Sequence, residues 1–290
     1  MTHRLVLQGR DIPTRTLKEL AQAVGAQAIE AIQHPAIAHQ AFRLTGVHAA
    51  TLSADMLDDI RTRCEREQID MALMSATDTL DRIGLIVMDM DSTLITIECI
   101  DEIADMCGIK AQVAEITERS MRGELDFAAS LTERVKLLAG LDTAALQRVY
   151  DERLQLTLGA EAMLNTLHSQ GTKSLLVSGG FTFFTERLQA RLNLTRTVAN
   201  VMESAEGKLA GRVVGAIVDA QRKADELIAE RLTLTAPKDR IIAIGDGAND
   251  LKMLAVADYG IAFHAKPVVR AQAAYSINFL GLDAVVGMFA

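Results

Sequence analysis

The sequence predicts an α/β protein with a parallel-sheet core, an inserted helical cap and a smaller α+β domain at the N-terminus. Three observations predict this fold class. Apolar runs that end in polar residues at positions 89, 178 and 246 are typical of buried strands in an open parallel sheet. The segment at residues 92–172 is far longer than the roughly 30 residues of a whole βαβ unit, which indicates an insertion between two strands. Short strands alternate with two helical runs over residues 1–76.

The composition of the chain argues against several classes of protein. A net charge of −8 and an aromatic content of 4% argue against a nucleic-acid partner. No apolar run approaches the ~20 residues that cross a bilayer, and no apolar segment of a signal peptide follows the first residues. The 3 cysteines lack the spacing of a metal site and suit a reducing compartment, so we expect a cytoplasmic protein without a membrane partner.

The N-terminal residues 1–76 are predicted to form a ferredoxin-like α+β domain. Their apolar patterns indicate strands and helices in the order βαββαβ, which is the order of that fold. In chain order, the predicted elements cover residues 3–9, 16–24, 28–33, 40–46, 54–67 and 69–75.

The first strand of the core ends in the most informative motif of the chain. The apolar run at residues 85–88 leads directly into Asp89 and Asp91. Two carboxylates this close repel each other unless a cation lies between them, so the motif favours a metal site that contains a nucleophile or a base. A calcium loop is excluded because its sixth and twelfth positions would hold Leu94 and Ile100. A helix N-cap after a strand remains an alternative.

The insertion is predicted to be helical and to form a cap at about residues 97–156 of a Rossmann-like core that spans residues 81–290. It adds about 50 residues to an ordinary crossover at the open end of the sheet, where it can serve as a lid. The helical runs cover residues 98–106, 111–121, 127–138 and 143–153.

The second core strand ends in a hydroxyl side chain and two glycines. The apolar run that begins at Ser174 leads to Ser178, Gly179 and Gly180 before a helical segment. A serine and free backbone N–H groups at the start of a helix can bind phosphate. The alternative is an ordinary junction between a strand and a helix.

A third apolar run, at residues 241–244, ends in two more carboxylates, Asp246 and Asp250. The spacing suits a tight turn into a helix, and the glycines beside Asp246 allow the backbone to approach a ligand closely. The dinucleotide fingerprint is excluded because Asp250 stands where its third glycine should be. No phosphate-binding P-loop pattern occurs in the chain.

The remaining core elements complete the sheet. Residues 207–215 are predicted to form a short hairpin, and residues 259–263 and 275–277 are predicted to be the closing strands. Lys223 lies in a helical run, where a solvated helix face is the default interpretation of a single lysine.

Side chains from three strand ends are therefore expected to meet at one edge of the sheet. Phosphoryl transfer requires carboxylates that bind Mg²⁺. It also requires groups that bind phosphate, here a serine, a lysine and backbone N–H groups. The ordered motifs resemble those of the haloacid dehalogenase superfamily: Asp89-Met90-Asp91-Ser92-Thr93, Ser178-Gly179-Gly180, Lys223 and Gly245-Asp246-Gly247-Ala248-Asn249-Asp250. The presence of a second acid, Asp91, resembles the motif of the phosphatase branch, since the dehalogenases lack this acid.

A closer resemblance, over roughly residues 80–285, is to the phosphoserine phosphatases. It is carried by the segment from Asp89 to Glu102 and by two cap segments, Met121-Arg-Gly-Glu-Leu-Asp-Phe127 and Ser130-Leu-Thr-Glu-Arg134-Val. The resemblance implies Mg²⁺-dependent hydrolysis of O-phospho-L-serine through an aspartyl phosphate, the last step of serine biosynthesis.

The same resemblance implies a role for each matching residue. Asp89 would be the nucleophile and Asp91 the general acid and base. Mg²⁺ would be bound by Asp89, Asp246 and the backbone carbonyl of Asp91. The phosphoryl oxygens would be bound by Ser178, Gly179, Gly180 and Lys223, while Asn249 and Asp250 would orient Lys223 and the metal-bound waters.

Substrate recognition is assigned to the cap. Glu98 would bind the ammonium group of phosphoserine and Arg134 its carboxylate, and Met121 and Phe127 would form an apolar wall. The alternative is that both charges are ordinary surface residues and that both apolar side chains belong to a core.

The position of the N-terminal domain resembles that of an ACT-type amino-acid-binding domain. An amino-acid effector and a second copy of the chain, as in a homodimer, are its expected partners, although the turn at residues 9–14 lacks the second glycine of such ligand sites. Three other functions remain open: a broader phosphomonoesterase or phosphotransferase, a regulatory binding protein with an inactive site, and a phosphorylation domain like that of P-type pumps.

Overall fold

The structure, a computed structural model, describes residues 2–290 apart from the side chain of Met121. It has the α/β fold class that the sequence predicts. The described strands are β1 (His3–Gly9), β2 (Ala28–Ala31), β3 (Gln40–Val47), β4 (Asp70–Ser75), β5 (Ile83–Met88), β6 (Lys173–Phe181), β7 (Arg196–Ala205), β8 (Lys208–Val214), β9 (Arg240–Gly245), β10 (Tyr259–Phe263) and β11 (Tyr275–Ile277).

The described helices include the four predicted in the cap, each within about two residues of its predicted ends. They are α1 (Thr14–Ala23), α2 (Ala54–Arg66), α3 (Cys99–Met106), α4 (Lys110–Met121), α5 (Phe127–Lys136), α6 (Ala144–Glu152), α7 (Ala160–Ser169), α8 (Thr182–Leu192), α9 (Ala220–Arg231), α10 (Leu251–Val256), α11 (Pro267–Arg270) and α12 (Ala284–Phe289). In the described part of the chain, no helix combines the length and the apolar character needed to cross a membrane.

The core is a seven-stranded sheet in the order β11-β10-β9-β5-β6-β7-β8. Its strands are parallel except for the antiparallel pair β7 and β8. Strand β5 lies at the centre, and Met88 at its end is in register with Ile244 of β9 and Leu176 of β6. The carboxyl ends of the three strands that carry the motifs therefore lie side by side.

Burial explains why β5 occupies the central position. All of its residues are buried, and their side chains divide between the two core clusters on the opposite faces of the sheet. The pairing with β9 shifts register at Gly84, where a Cβ atom would lie 2.2 Å from the carbonyl oxygen of Lys238. A glycine is needed there because another backbone passes too close for a side chain.

The predicted hairpin at residues 207–215 is wrong in one respect. These residues form only the second strand, β8, and the first strand is β7. The turn is Glu206-Gly207, with φ of +50° and +76°, and two positive φ values favour a tight hairpin whose twist matches its strands. Its glycine therefore marks the beginning of the second strand, and the pattern alone does not show that a strand precedes it.

The N-terminal residues form an antiparallel sheet in the order β2-β3-β1-β4, which agrees with the predicted βαββαβ topology. One face packs on α1 and α2 through a cluster that includes Leu5, Leu7 and Leu44. Val6 and Met74 belong instead to the main core cluster, which also contains the residues of α12. The C-terminal helix of the core is thus part of the same packed unit as this sheet, a contact that the sequence pattern did not predict.

Candidate active site

The strand ends enclose a cavity of about 140 Å³ between the sheet and the cap. Most of the residues predicted for the site line it, from both the core and the cap helices. The lining residues are Asp89, Asp91, Glu98, Ile100, Phe127, Leu131, Arg134, Ser178, Gly179, Gly180, Phe181, Asp246 and Asn249. Lys223 and Asp250 are not part of the lining, but Lys223 pairs with both Asp89 and Asp250.

Asp89 directly follows β5 and lies in a buried network of charges. Its Oδ2 atom is 2.7 Å from the Nζ atom of Lys223, and its Oδ1 atom accepts a hydrogen bond of 2.7 Å from the N–H of Met90. The second bond lies within the turn that follows β5 and does not cap a regular helix, since Asp91 and Ser92 have non-helical backbone angles. Burial, followed by the charge of Asp250, raises the pKa of Asp89 well above its usual value.

Lys223 is a buried residue of α9 and is only 1% exposed. Its ammonium group also lies 2.7 Å from the Oδ1 atom of Asp250. Burial lowers the pKa of Lys223, but the carboxylates of Asp89 and Asp250 outweigh this effect, and the pKa is raised overall. The lysine is therefore a fixed cation beside Asp89, which excludes the solvated helix face as an interpretation.

Three carboxylates lie close enough to share a cation. Oxygen atoms of Asp89, Asp246 and Asp250 all lie within 4.8 Å of one another. Lys223 pairs with two of them, while Asp246 accepts a hydrogen bond of 3.1 Å from the hydroxyl of Thr93. Burial, and then the charge of Asp250, raises the pKa of Asp246 to about 6. One lysine does not neutralise three acids, so this set of oxygen ligands fits a divalent ion such as Mg²⁺.

Asp91 lies in a tight turn at residues 90–94, beside Asp89 and nearer the cap. The next residue, Ser92, has a φ of +54°, a strained conformation for a residue with a side chain. The Oδ1 atom of Asp91 accepts a hydrogen bond of 3.3 Å from the N–H of Cys99, at the start of α3. Burial, followed by the charge of Glu98, raises the pKa of Asp91 to about 7. A carboxyl group in these surroundings can hold a proton near neutral pH.

The segment that the sequence predicts to bind phosphate lies at the end of β6. The N–H of Gly180 donates a hydrogen bond of 2.8 Å to the Oγ atom of Ser178, and both residues line the cavity. A Cβ atom on Gly180 would lie 2.7 Å from the Cε atom of Met90 and 3.0 Å from the Oδ2 atom of Asp91. A glycine is needed at this position because the two motifs approach each other closely.

The cap contributes Glu98, Phe127 and Arg134 to the cavity. Glu98 accepts a hydrogen bond of 2.7 Å from the hydroxyl of Ser92, and the Nε atom of Arg134 donates one of 3.4 Å to the carbonyl of Ser130. Among the described residues, no carboxylate lies within ion-pair distance of Arg134. Its guanidinium group is thus available to an anion in the cavity. The role predicted for Met121 depends on its side chain, which lies outside the described residues.

Several residues of the site have no role that the sequence motifs indicate. Thr93 belongs to the motif that begins at Asp89, but its bond to Asp246 depends on the turn after β5. The apolar residues Ile100, Leu131 and Phe181 line the cavity and have no distinguishing pattern in the sequence. The buried Asn200 of β7 bonds to the carbonyl of Gly179, and no motif indicated it.

Comparisons with known proteins agree with this geometry. The haloacid dehalogenase-like hydrolase family matches residues 86–255 of the chain. A phosphoserine phosphatase from Idiomarina loihiensis is 50% identical over 204 residues, which cover 70% of this chain and 92% of that protein. One from Polaromonas is 49% identical over 204 residues, 69% of this chain and 86% of that protein.

Solved structures extend the similarity to the whole chain. A haloacid dehalogenase family hydrolase from Salmonella enterica serovar Typhi superimposes with a TM-score of 0.90 and 32% identity, covering 99% of this chain and 98% of that one. An unliganded probable phosphoserine phosphatase from Vibrio cholerae gives a TM-score of 0.81 and 36% identity, covering 99% of this chain and 86% of that one. Both alignments include the N-terminal residues as well as the core.

Proposed function

Given that this chain belongs to the phosphoserine phosphatase family of haloacid dehalogenase-like hydrolases, we propose that it hydrolyses O-phospho-L-serine to L-serine and phosphate. One observation carries the proposal. A single cavity is lined by several carboxylates, by Ser178, Gly179 and Gly180, and by Arg134 from the cap. Phosphoserine has a phosphate at one end and a carboxylate and an ammonium group at the other, so it matches this arrangement of charges.

The proposed reaction has two steps, both at Asp89. In the first, a carboxylate oxygen of Asp89 bonds to phosphorus, the bond between phosphorus and the serine oxygen breaks, and Asp91 transfers its proton to that oxygen. In the second, Asp91 removes a proton from water as the water oxygen attacks phosphorus. Phosphate is released and the carboxylate of Asp89 is regenerated.

Lys223 and the end of β6 would bind the phosphoryl oxygens during both steps. The N–H of Gly180 and the hydroxyl of Ser178 already lie at the cavity, and Lys223 provides a positive charge beside Asp89. These donors are fixed before the substrate binds, because Lys223 is held between two carboxylates and the glycines are packed against neighbouring motifs. Fixed donors stabilise the charge of the transition state without further reorganisation.

Mg²⁺ is the proposed cofactor. Asp89, Asp246 and the backbone carbonyl of Asp91 would bind it, and Asp250 would fix the position of Lys223 beside the ion. When bound, Mg²⁺ neutralises charge on the phosphoryl group and acts as a Lewis acid. The support for this cofactor is the cluster of three closely spaced carboxylates that one lysine does not neutralise.

Substrate recognition is proposed to involve both charged residues of the cap. Arg134 would bind the substrate carboxylate and Glu98 the ammonium group, while Phe127 would cover the phosphate-binding segment. Support for the last role is close packing, since a Cβ atom on Gly179 would lie 2.8 Å from the ring of Phe127. A broader phosphomonoesterase or phosphotransferase remains the alternative, because the residues that would bind the phosphate do not select which alcohol is esterified to it.

The test is phosphate release from phosphoserine, phosphothreonine and homoserine phosphate, with and without Mg²⁺. We expect Mg²⁺-dependent release and a clear preference for phosphoserine, and no release above background from Asp89→Asn. Asp59→Asn, on the exposed face of α2, is the matched control and should resemble the wild type. Wild-type turnover by Asp89→Asn would disprove the nucleophile assignment, and equal rates on the three substrates would favour the broader phosphatase.

We also propose the domain roles, the partners and the cellular location that the sequence predicts. Residues 1–76 would form the ACT-like module, with an amino-acid effector and a second copy of the chain as partners, and residues 81–290 would be the catalytic domain. A cytoplasmic location is supported by the cysteines, since Cys64, Cys99 and Cys107 are unpaired thiols.

A further inference from the structure

Asn200 occupies a buried position between the two parts of the site that would hold the phosphate. It lies in β7, is 1% exposed and is not among the residues that line the cavity. Its Nδ2 atom donates a hydrogen bond of 2.8 Å to the carbonyl of Gly179. Its Oδ1 atom accepts one of 2.9 Å from the N–H of Val218, just before α9. One side chain thus connects the end of β6 to the segment that leads to Lys223.

A bulge in β6 explains why the carbonyl of Gly179 needs this partner. In the pairing of β6 with β7, Val177 lies opposite Val198 and Phe181 lies opposite Asn200. An advance of four residues along β6 therefore corresponds to only two residues along β7. The residues between leave the regular ladder, and their backbone groups lose their strand partners. A buried carbonyl without a hydrogen bond is costly, and the side chain of Asn200 supplies the donor that β7 does not.

This bond also fixes the direction of the next N–H group. The C=O and N–H groups of a trans peptide point in opposite directions. With the carbonyl of Gly179 held against Asn200, the N–H of Gly180 must point the other way, and it reaches the hydroxyl of Ser178 at the cavity. The position of the Ser178 hydroxyl, a proposed phosphate ligand, therefore depends on a residue that does not line the cavity.

We propose that Asn200 is a positioning residue for phosphate binding, which aligns the Gly179-Gly180 peptide and couples it to the segment that carries Lys223. The inference rests on the proposed function, because it assumes that a phosphate group occupies this cavity. Two variants separate its contacts. Asn200→Asp keeps an acceptor for Val218 but loses the N–H donor to Gly179, and Asn200→Ala loses both bonds while leaving room for water.

The test measures binding of inorganic phosphate by isothermal titration calorimetry in the presence of Mg²⁺, together with thermal unfolding of each protein. The control is Thr172→Val, at the opposite end of β6. Thr172 is 4% exposed and donates a buried hydrogen bond of 2.8 Å to the carbonyl of Ile83. We expect both Asn200 variants to bind phosphate at least about tenfold more weakly than the wild type, a loss of about 1.4 kcal/mol. The control should bind it normally, even if it unfolds at a lower temperature.

Phosphate affinity within twofold of the wild type in the folded Asn200 variants would overturn the inference, and so would an equal loss in Thr172→Val. If Asn200→Asp does not fold, Asn200→Ala decides the question. The readout does not depend on turnover. A wild type that binds phosphate but releases none from phosphoserine would disprove the proposed function, while the comparison of variants would still decide the role of Asn200.

Discussion

Lys223 illustrates how the role of a residue depends on its surroundings. In the sequence it is a single lysine in a helical run, with an arginine before it. In the structure it is buried and lies 2.7 Å from an oxygen of both Asp89 and Asp250. Removing any one of these three side chains would leave a buried charge without its partner, which has a high energetic cost. The three side chains therefore act as one unit, and their individual roles are separable only by experiment.

Arg134 gives a prediction at this scale, because its proposed partner is a substrate carboxylate. Arg134→Ala should lower kcat/KM for phosphoserine about 10–100-fold, the range expected for a lost charge-assisted hydrogen bond. Phenyl phosphate has no carboxylate, and its kcat/KM should change much less. The measurement is steady-state kinetics on both substrates.

A second arginine of the cap serves as the control for this prediction. Arg148, in α6, pairs with Glu152 at the surface and does not line the cavity, so Arg148→Ala should affect neither substrate. Equal losses on both substrates in Arg134→Ala would show that the arginine supports the cap and does not bind the carboxylate.

At the scale of elements, the contact between β6 and α5 determines how closely the cap approaches the core. Gly179 lies in the bulged end of β6, and Phe127 is the first residue of α5. The helix begins there because the side chain of Asp126 accepts a hydrogen bond of 2.7 Å from the N–H of Ala129. A strand bulge and a helix start thus meet directly over the segment that we propose to bind phosphate.

We expect Gly179→Ala to disturb this contact. The added methyl group would lie 2.8 Å from the ring of Phe127, which is closer than van der Waals contact allows. The ring and its helix must then move away from β6, so KM for phosphoserine should rise several-fold. The measurement is a double-mutant cycle with Phe127→Ala.

The cycle tests whether the overlap with the ring is the cause. In the Phe127→Ala background, the effect of Gly179→Ala should become small, because the methyl group no longer meets a ring. An equal effect in both backgrounds would place the cause in β6 itself, and the prediction would be wrong.

At the scale of the whole molecule, the N-terminal sheet and the core are joined by buried polar contacts as well as apolar packing. The Asp70 carboxylate of β4 accepts hydrogen bonds from the N–H groups of Asn278, Phe279 and Leu280. A Cβ atom on Gly287 of α12 would lie 1.9 Å from the Oε1 atom of Gln8. Such close contacts constrain the orientation of the sheet on the core.

Asp283, at the start of α12, gives a pH-dependent prediction for this interface. Its Oδ2 atom lies 3.3 Å from the ring of His39 and accepts a hydrogen bond of 3.1 Å from the N–H of Ala38. Burial opposes ionisation, but the hydrogen bonds from His39 and Ala38 outweigh it, so the pKa of Asp283 is lower than usual. Its ionised form therefore stabilises the folded state at pH values above its unfolded-state pKa of about 3.9.

We expect Asp283→Asn to lower the free energy of unfolding by about 1.5–3 kcal/mol near neutral pH, the usual range for a hydrogen bond to a charged group. Below pH 4 the wild-type carboxyl becomes protonated, and the difference between the two proteins should shrink. Urea unfolding at pH 7, 5, 4 and 3 measures it, with Asp59→Asn on exposed α2 as a control. A difference that persists unchanged at pH 3 would show that the charge is not the stabilising feature.

Local patterns were enough to predict most of the elements and the acids of the site. The apolar run before Asp89 is fully buried in the structure, and strand ends in a parallel sheet adjoin one another whenever their strands do. Local patterns were not enough for Asn200 or Thr93, because each acts through a partner distant in the chain. A single asparagine in a strand has no feature that distinguishes it from a surface residue.

The sequence by itself determined the alternation of strands and helices, the acids and glycines at the strand ends, and the helical insertion, because these follow from local periodicity and turn chemistry. Only the tertiary structure decided which charges pair, how far the cap approaches β6, and that α12 packs with the N-terminal sheet. These features depend on distances between residues that are far apart in the chain, and such distances are set by the packing of the whole molecule.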